Sequence, residues 1–365
     1  MHAGIRIPLL TACLLGAGQL SAQSNPDDAA FVTRLGVDTI AVERFIVQPN
    51  GIRAEVLLRA PELALRVYEL ELANGQQPAR LTVESYDPRR GLVGEPSSRE
   101  VLTLDESVGI PFIDMVHWPF ELMLRQAAEA GEDSITFALA TARRPLPFVV
   151  ARVGPGRYTA THPSRGTMDV EVDAQGRLLS LDASKTTRAL RVTREPSADI
   201  GGLAARFAAR GGAVGELSGR GAAEAVVNGA QISVDYGQPL KRGRDIFGAL
   251  VPWDRVWRTG ANRATHFTTS RDLRVGETVI PAGTYTLFTI PRSHRWTLLV
   301  NRRTDINGQA YDAEHDLARL EMQTRTLEET TEPFTILVEE SEDGAGVLRL
   351  RWDRTEAYLP FRVVN

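Results

Sequence analysis

Within VWRTGANRATHFTT, Val256 to Thr269, an indole, a guanidinium, a carboxamide and an imidazole fall close together as Trp257, Arg258, Asn262 and His266. An aromatic face with convergent polar groups is the chemistry of a pocket for a polar or sugar-like ligand. The same stretch also reads as a turn followed by a strand. Gly260 invites a tight turn, and Asn262 can bond a nearby amide or take a left-handed backbone. On the strand, Thr265, Phe267 and Thr269 share one face, while Ala264, His266 and Thr268 share the other. With Phe267 turned inward, His266 points outward beside Arg258 and Asn262. The competing reading buries Trp257, pairs Arg258 with a carboxylate of YDAEHD and leaves Asn262 to shape the turn.

A second cluster lies in YGQPLKRGRDIFG, where Lys241, Arg242 and Arg244 surround Gly243. These cations could form an anion-binding loop. The stretch lacks the glycine spacing and following helix of a P-loop, so a structural loop tied by Arg–Asp pairs is the alternative. His117, His162, His266, His294 and His315 are scattered, with no HxH or HxxxH pair. Zinc would need His266, His315 and a carboxylate such as Asp312 or Asp316 gathered by folding; on an expected helix those two aspartates share a face. No metal and no cofactor is expected. No GxSxG elbow, SxxK pair or cysteine nucleophile is present. A glycosidase would need two facing carboxylates, for which Asp235, Asp254 and Asp316 are candidates.

These groups sit in a chain of 365 residues, long enough for two cores, with a net charge of −4. That balance implies no nucleic-acid partner. Lys185 and Lys241 are the only lysines among 42 basic residues. The N-terminal MHAGIRIPLLTACLLGAGQLSAQS has a basic start at Arg6, a short apolar run and small residues at Ser21 and Ala22. It predicts a signal peptide over residues 1–22 and hence export to the periplasm or cell envelope, with no transmembrane segment in the mature chain. LTAC, ending at Cys13, is a lipobox-like alternative that would acylate the chain. Under simple export the single cysteine leaves with the leader, excluding disulfides and thiol chemistry.

The remainder reads as mainly β, in two domains. Residues 25–194 alternate apolar and polar from Asp38 onward and predict an antiparallel curved sheet, a meander with turns at Gln48–Gly51 and at Asn74–Gln77. It encloses one helix, Ile110–Gly131, kinked at Pro119 and ended by Gly131. If Ile113, Met115, Trp118, Phe120 and Met123 line a void, this domain can hold an apolar molecule; the alternative is a filled core. Residues 195–212, rich in glycine and alanine, read as a linker with one or two helical turns. Residues 213–365 open with VVNGAQISV, whose Asn228-Gly229 pair suits a type I′ hairpin, and continue as short strands of a β-sandwich or jelly roll.

SVDYGQPLKRGRDIFG, VPWDRVWRTGANRATHF, IPAGTYTLFTIP, WTLLVNR and YDAEHDLARL occur in that order. Together they resemble an uncharacterised bacterial family, domain of unknown function 2911, over about Val227 to Val364. The resemblance implies an exported, β-rich protein and carries no activity. The chain departs from many members at Arg263 and His266, where an acidic residue and a threonine are usual. The leading expectation is a non-catalytic binding or interaction protein whose partner is a small molecule or envelope component, met at the Trp257–His266 corner. The alternative is a periplasmic hydrolase using Arg258, Asn262 and His266 on a polar or sugar-like substrate.

Overall fold

The computed structural model describes residues 28–73, 77–104, 109–141 and 144–364. The leader, Cys13 and the turn at Asn74 lie outside the described residues. Contacts divide the chain into two compact units, Thr39–Gly215 with the chain through Leu35, and Glu216–Asn365 with Gly36–Asp38.

The N-terminal unit is one twelve-stranded antiparallel sheet. Its first half is β1 (Ala29–Leu35), β2 (Asp38–Gln48), β3 (Gly51–Leu58), β4 (Ala64–Ala73), β5 (Gln77–Tyr86) and β6 (Ser98–Thr103). Its second half is β7 (Ser134–Leu139), β8 (Leu146–Gly154), β9 (Arg157–His162), β10 (Gly166–Val172), β11 (Leu178–Asp182) and β12 (Leu190–Glu195). Each half is a meander, and the two are joined at the centre where β1 pairs with β12, Val32 opposite Thr193. β6 and β7 are therefore opposite edges of the sheet. The chain between them must cross an entire face, and the apolar run beginning at Ile110 makes that crossing.

The crossing segment contains α1, Trp118–Ala130. The expected helix start at Ile110 is eight residues too early, and Pro119 is not a kink. It occupies the first turn, where its missing N–H breaks no helical bond. A carboxylate from the sheet sets the start: Glu43, fully buried, accepts the amides of His117 at 2.8 Å and Trp118 at 2.9 Å. Gly131, at φ 69°, ends the helix as expected. The opposite face carries α2, Ile200–Ala209, within the segment read as a linker. Ile200 and Ala204 pack on Val42, Leu57 and Leu65, which lie in register across β2, β3 and β4. Asp199 caps α2 by accepting the Gly202 amide at 2.9 Å.

The C-terminal unit is a nine-stranded antiparallel sheet in the order β13-β14-β15-β18-β19-β20-β21-β16-β17. The strands are β13 (Ser218–Val227), β14 (Ala230–Pro239), β15 (Thr265–Thr269), β16 (Leu273–Val275), β17 (Thr278–Ile280), β18 (Gly283–Ile290), β19 (Arg295–Asn301), β20 (Asp316–Glu340) and β21 (Gly346–Val363). Asn228 and Gly229 both have positive φ, 44° and 76°, as the type I′ turn requires. The long β20–β21 hairpin changes register between Thr326 and Thr335. Such bulges bend a strand from one layer of a sandwich to the other. The first part of β20 pairs with β19, and its later part lies beside β14, where the Ile336 amide donates to the Tyr236 hydroxyl at 3.0 Å. Trp296, Phe334, Met322 and Trp352 fill the interior between them.

YDAEHDLARL is not a helix. Ala313–His315 forms one 3-10 turn, and β20 starts at Asp316. Ala318, Leu320 and Met322 are buried at every second position, so period two prevailed over the four-residue spacing of the aspartates.

Candidate functional site

The Trp257–His266 corner is built on β14, β15 and β18. Trp257 exchanges two backbone hydrogen bonds with Thr289, at 2.7 and 2.9 Å. Its indole stacks on Trp352 at 5.9 Å between centroids and meets Phe334 edge-on at 5.0 Å and Trp296 at 6.2 Å. The loop that follows lies directly on β14. A side-chain carbon at Gly237 would come within 1.8 Å of the Ala261 carbonyl oxygen, so glycine is what permits the approach. Thr259, left-handed and buried, donates its hydroxyl to Thr289 Oγ1 at 3.1 Å. Asn262 is exposed with φ 61°, in the left-handed conformation its side chain tolerates.

Arg258 is half-buried, and burial lowers its pKa. Its Nε donates to the Gly260 carbonyl at 3.3 Å, rather than to a YDAEHD carboxylate. Phe267 faces the core and His266 the other side, where its Nε2 bonds the Thr304 carbonyl at 2.6 Å. The carboxylate opposite His266 in register, Asp235, is held by Arg220 with Nε at 2.7 Å. Asp316 takes the Tyr311 hydroxyl at 2.6 Å and Asn301 at 2.9 Å. The Tyr311 phenol is pushed up to about 12, first by burial and then by that bond.

Arg242 reaches out of its loop to two carboxylates, and Arg244 bonds within it. Arg242 donates its amide to Glu332 at 2.6 Å and its guanidinium to Asp38 at 2.6 Å, within the same compact unit. Arg244 gives Nε to the Lys241 carbonyl at 3.0 Å and a second nitrogen to Leu240 at 2.5 Å. Burial, with Arg242 alongside, brings its pKa down to about 10. Among the described residues no three of His, Cys, Asp and Glu converge as a metal site, and no helix is long and apolar enough to cross a membrane.

A different set of residues surrounds real space in the N-terminal unit. Two cavities share Arg66 and Ile113, one of about 520 Å³ at the end of the sheet where β3 turns into β4 and one of about 510 Å³ on the face crossed by the β6–β7 connection. Both fall in the range of roughly 300–1,000 Å³ typical of small-molecule sites. The second is lined by Leu81 and Val83 of β5, Leu102 of β6, and Ile113 of the crossing segment. Met115 lines the first, whereas Trp118 and Met123 are wholly enclosed in the core. Backbone bonds at 2.8 Å between Phe112 and Ala140 and between Ala140 and Ile110 hold the segment against the end of β7. The Asp114 carboxylate is gripped by Arg165, at 2.8 Å, and by Arg188. Arg66 escapes a reading that looks for clustered polar residues. The signal was its place in LRVYELELA, where alternation puts an arginine on the face of Tyr68 and Leu70.

Beneath Asp114 a smaller void of about 40 Å³ is lined by His162, whose ring meets Phe112 and Phe148 edge-on. Burial, aided by Arg165, brings the His162 pKa down to about 4, and its Nδ1 accepts the Ser164 amide at 3.1 Å. The imidazole is therefore neutral at pH 7. Between pH 6.5 and 4 the unfolded chain binds a proton that the folded one refuses, so this group makes stability fall with pH through that window. His162→Phe should flatten the decline by about 1–3 kcal/mol. Unfolding midpoints measured at pH 7, 5.5 and 4 will show it; equal slopes in both proteins would refute the assignment.

A comparison with curated proteins found no match. No family model matches the N-terminal unit. Residues 218–361, from the start of β13 almost to the end of β21, match the model of the family described as Protein of unknown function (DUF2911), so it is the C-terminal unit that resembles that family.

Proposed function

We propose that the protein is an exported, non-catalytic binding protein whose N-terminal unit holds a small molecule with an apolar body. The observation that carries this reading is the pair of cavities sharing Ile113. α1 seals the middle of the sheet with Trp118, Met123 and Leu124, all fully buried, whereas β6 at the edge is exposed along its length. There Leu102 is 45% exposed on an edge strand, an apolar surface that a ligand would remove from water. The leader-like start supports export. At the Trp257–His266 corner the indole is packed among three rings and His266 is bonded to a backbone carbonyl, which supports an architectural use of that corner.

The test uses dodecanol, a neutral chain of suitable size, titrated into the purified protein and followed by native mass spectrometry and calorimetry. One molecule should bind per chain. Ile113→Trp, which intrudes on both cavities, should weaken binding at least tenfold while circular dichroism stays unchanged. Absence of dodecanol binding to folded wild-type protein would end the proposal, as would an unaffected Ile113→Trp. Mass spectrometry of the mature N-terminus separates cleavage after Ala22 from acylation at Cys13.

A further inference from the structure

We infer that the molecule held beside Ile113 is an anionic amphiphile, and that Arg66 and Tyr68 bind its head group; this rests on the apolar-ligand reading above. The chain is rich in arginine, yet wherever an arginine is half-buried it has found an acceptor. Arg53 holds Glu69, Arg177 holds Asp173 and Arg194 holds Glu121, while Arg59 and Arg244 bind backbone carbonyls. Arg66 differs from these: half-buried on β4, it has neither a carboxylate nor a carbonyl partner among the described residues, and the group it reaches is the Tyr68 hydroxyl oxygen. Tyr68, next along the same face, is 3% exposed, and its hydroxyl proton has no acceptor within the described chain. The two groups are neighbours, close enough for Arg66 to act on the Tyr68 phenol.

Both donors line the cavity of about 510 Å³. A buried donor without an acceptor costs about 1–3 kcal/mol, more when it is charged. Two such donors side by side at the wall of an apolar cavity are complementary to one thing, an oxyanion attached to a hydrocarbon. A guanidinium fork with a phenolic O–H beside it matches a carboxylate or a phosphate monoester. Among the described residues, the other charges on this cavity are Glu100 and Arg144, both exposed and of opposite sign. With Arg66 they give the described lining a net positive charge. Leu81, Val83 and Leu102 then receive the tail.

Dodecanoate, dodecyl phosphate and dodecanol share a tail and differ in the head, so their affinities for the full chain read the head-group contribution. Wild-type protein should bind at least one of the two anions ten or more times tighter than dodecanol, and the better of the two identifies the head. Arg66→Met should reduce that anion to the level of dodecanol without changing dodecanol itself. Arg66→Lys should retain part of the preference. Tyr68→Phe, which removes one oxygen and keeps the ring, should weaken the anion about threefold to tenfold. Equal binding of all three ligands by wild-type protein overturns the inference and leaves the apolar-ligand proposal standing. Failure of dodecanol as well overturns both. Should Arg66→Met not fold, the wild-type comparison and Tyr68→Phe still decide.

Discussion

Replacing Glu356 by alanine is expected to destabilise the C-terminal unit by about 3–5 kcal/mol, the range for breaking a buried ion pair from one side. The Glu356 side chain has no exposed surface, and it gathers Arg325 at 2.7 Å, Arg349 at 2.8 Å and Arg351 at 2.5 Å. Arg349 also reaches Glu339 at 2.7 Å, which leaves the cluster with one excess positive charge even when intact. Without Glu356, two or more guanidinium groups would face each other across β20 and β21 with no anion between them. Burial alone would raise the Glu356 pKa, but the hydrogen bonds from Arg351 and Arg325 prevail, and it ends below its ordinary value. A depressed carboxylate contributes stability that is present above the unfolded pKa near 4.5 and is lost as pH falls through the folded value. Glu356→Gln should therefore remove part of the acid sensitivity as well as much of the stability. Four of the five tryptophans lie in this unit, so denaturant unfolding followed by tryptophan fluorescence reports it directly. A loss under about 1 kcal/mol for Glu356→Ala would mean that the arginines find other partners or water.

Glu43→Ala should have a comparable effect on the N-terminal unit, about 2–5 kcal/mol, through a different physical route. Its carboxylate satisfies two helix-start amides that have no intrahelical partner, and each buried amide left without an acceptor costs about 1–3 kcal/mol. The His117 imidazole is drawn into the same site, with Nδ1 3.0 Å from the Thr33 hydroxyl and 3.5 Å from Glu43. Because these contacts anchor the C-terminal end of the segment bearing Ile113 and Met115, the mutation should also abolish dodecanol binding. Glu43→Gln keeps one acceptor oxygen and should recover about half of the stability. Hydrogen exchange at His117 and Trp118 gives the local readout: both amides should exchange faster in Glu43→Ala than in wild type. Unchanged exchange there, with the unit folded, would show that the helix start does not depend on Glu43.

Strands were legible where one face is dry and the other wet. β2, β3 and β11 fall at the positions that alternation marks, and the Asn228-Gly229 turn follows from the need for positive φ at both residues. β1 gave no such signal. It lies at the centre of the sheet, and AAFVTRL is buried on both faces, so its apolar residues run together rather than alternate. Ile110–His117 read as helix because an apolar run has the same composition whether it coils or crosses a sheet extended. The difference was made by Glu43, more than seventy positions earlier in the chain.

The corner around Trp257 was conspicuous for its residue types, and types alone do not say which groups are already engaged. Trp352, Phe334 and Thr304 approach it through pairings between distant strands, and they decide what Trp257 and His266 have left to offer. Arg66 is the converse, an ordinary arginine in an ordinary strand until its neighbours are known. Turn chemistry and the periodicity of burial are local, so residue order by itself determined a mainly β protein, the hairpin at Asn228 and the likeness of the C-terminal part to a known family. The joining of β1 to β12, the passage from β6 to β7 across a whole face, and the placing of Arg66 and Tyr68 beside a cavity were decided only by the tertiary structure. Each depends on residues far apart in the chain being brought together.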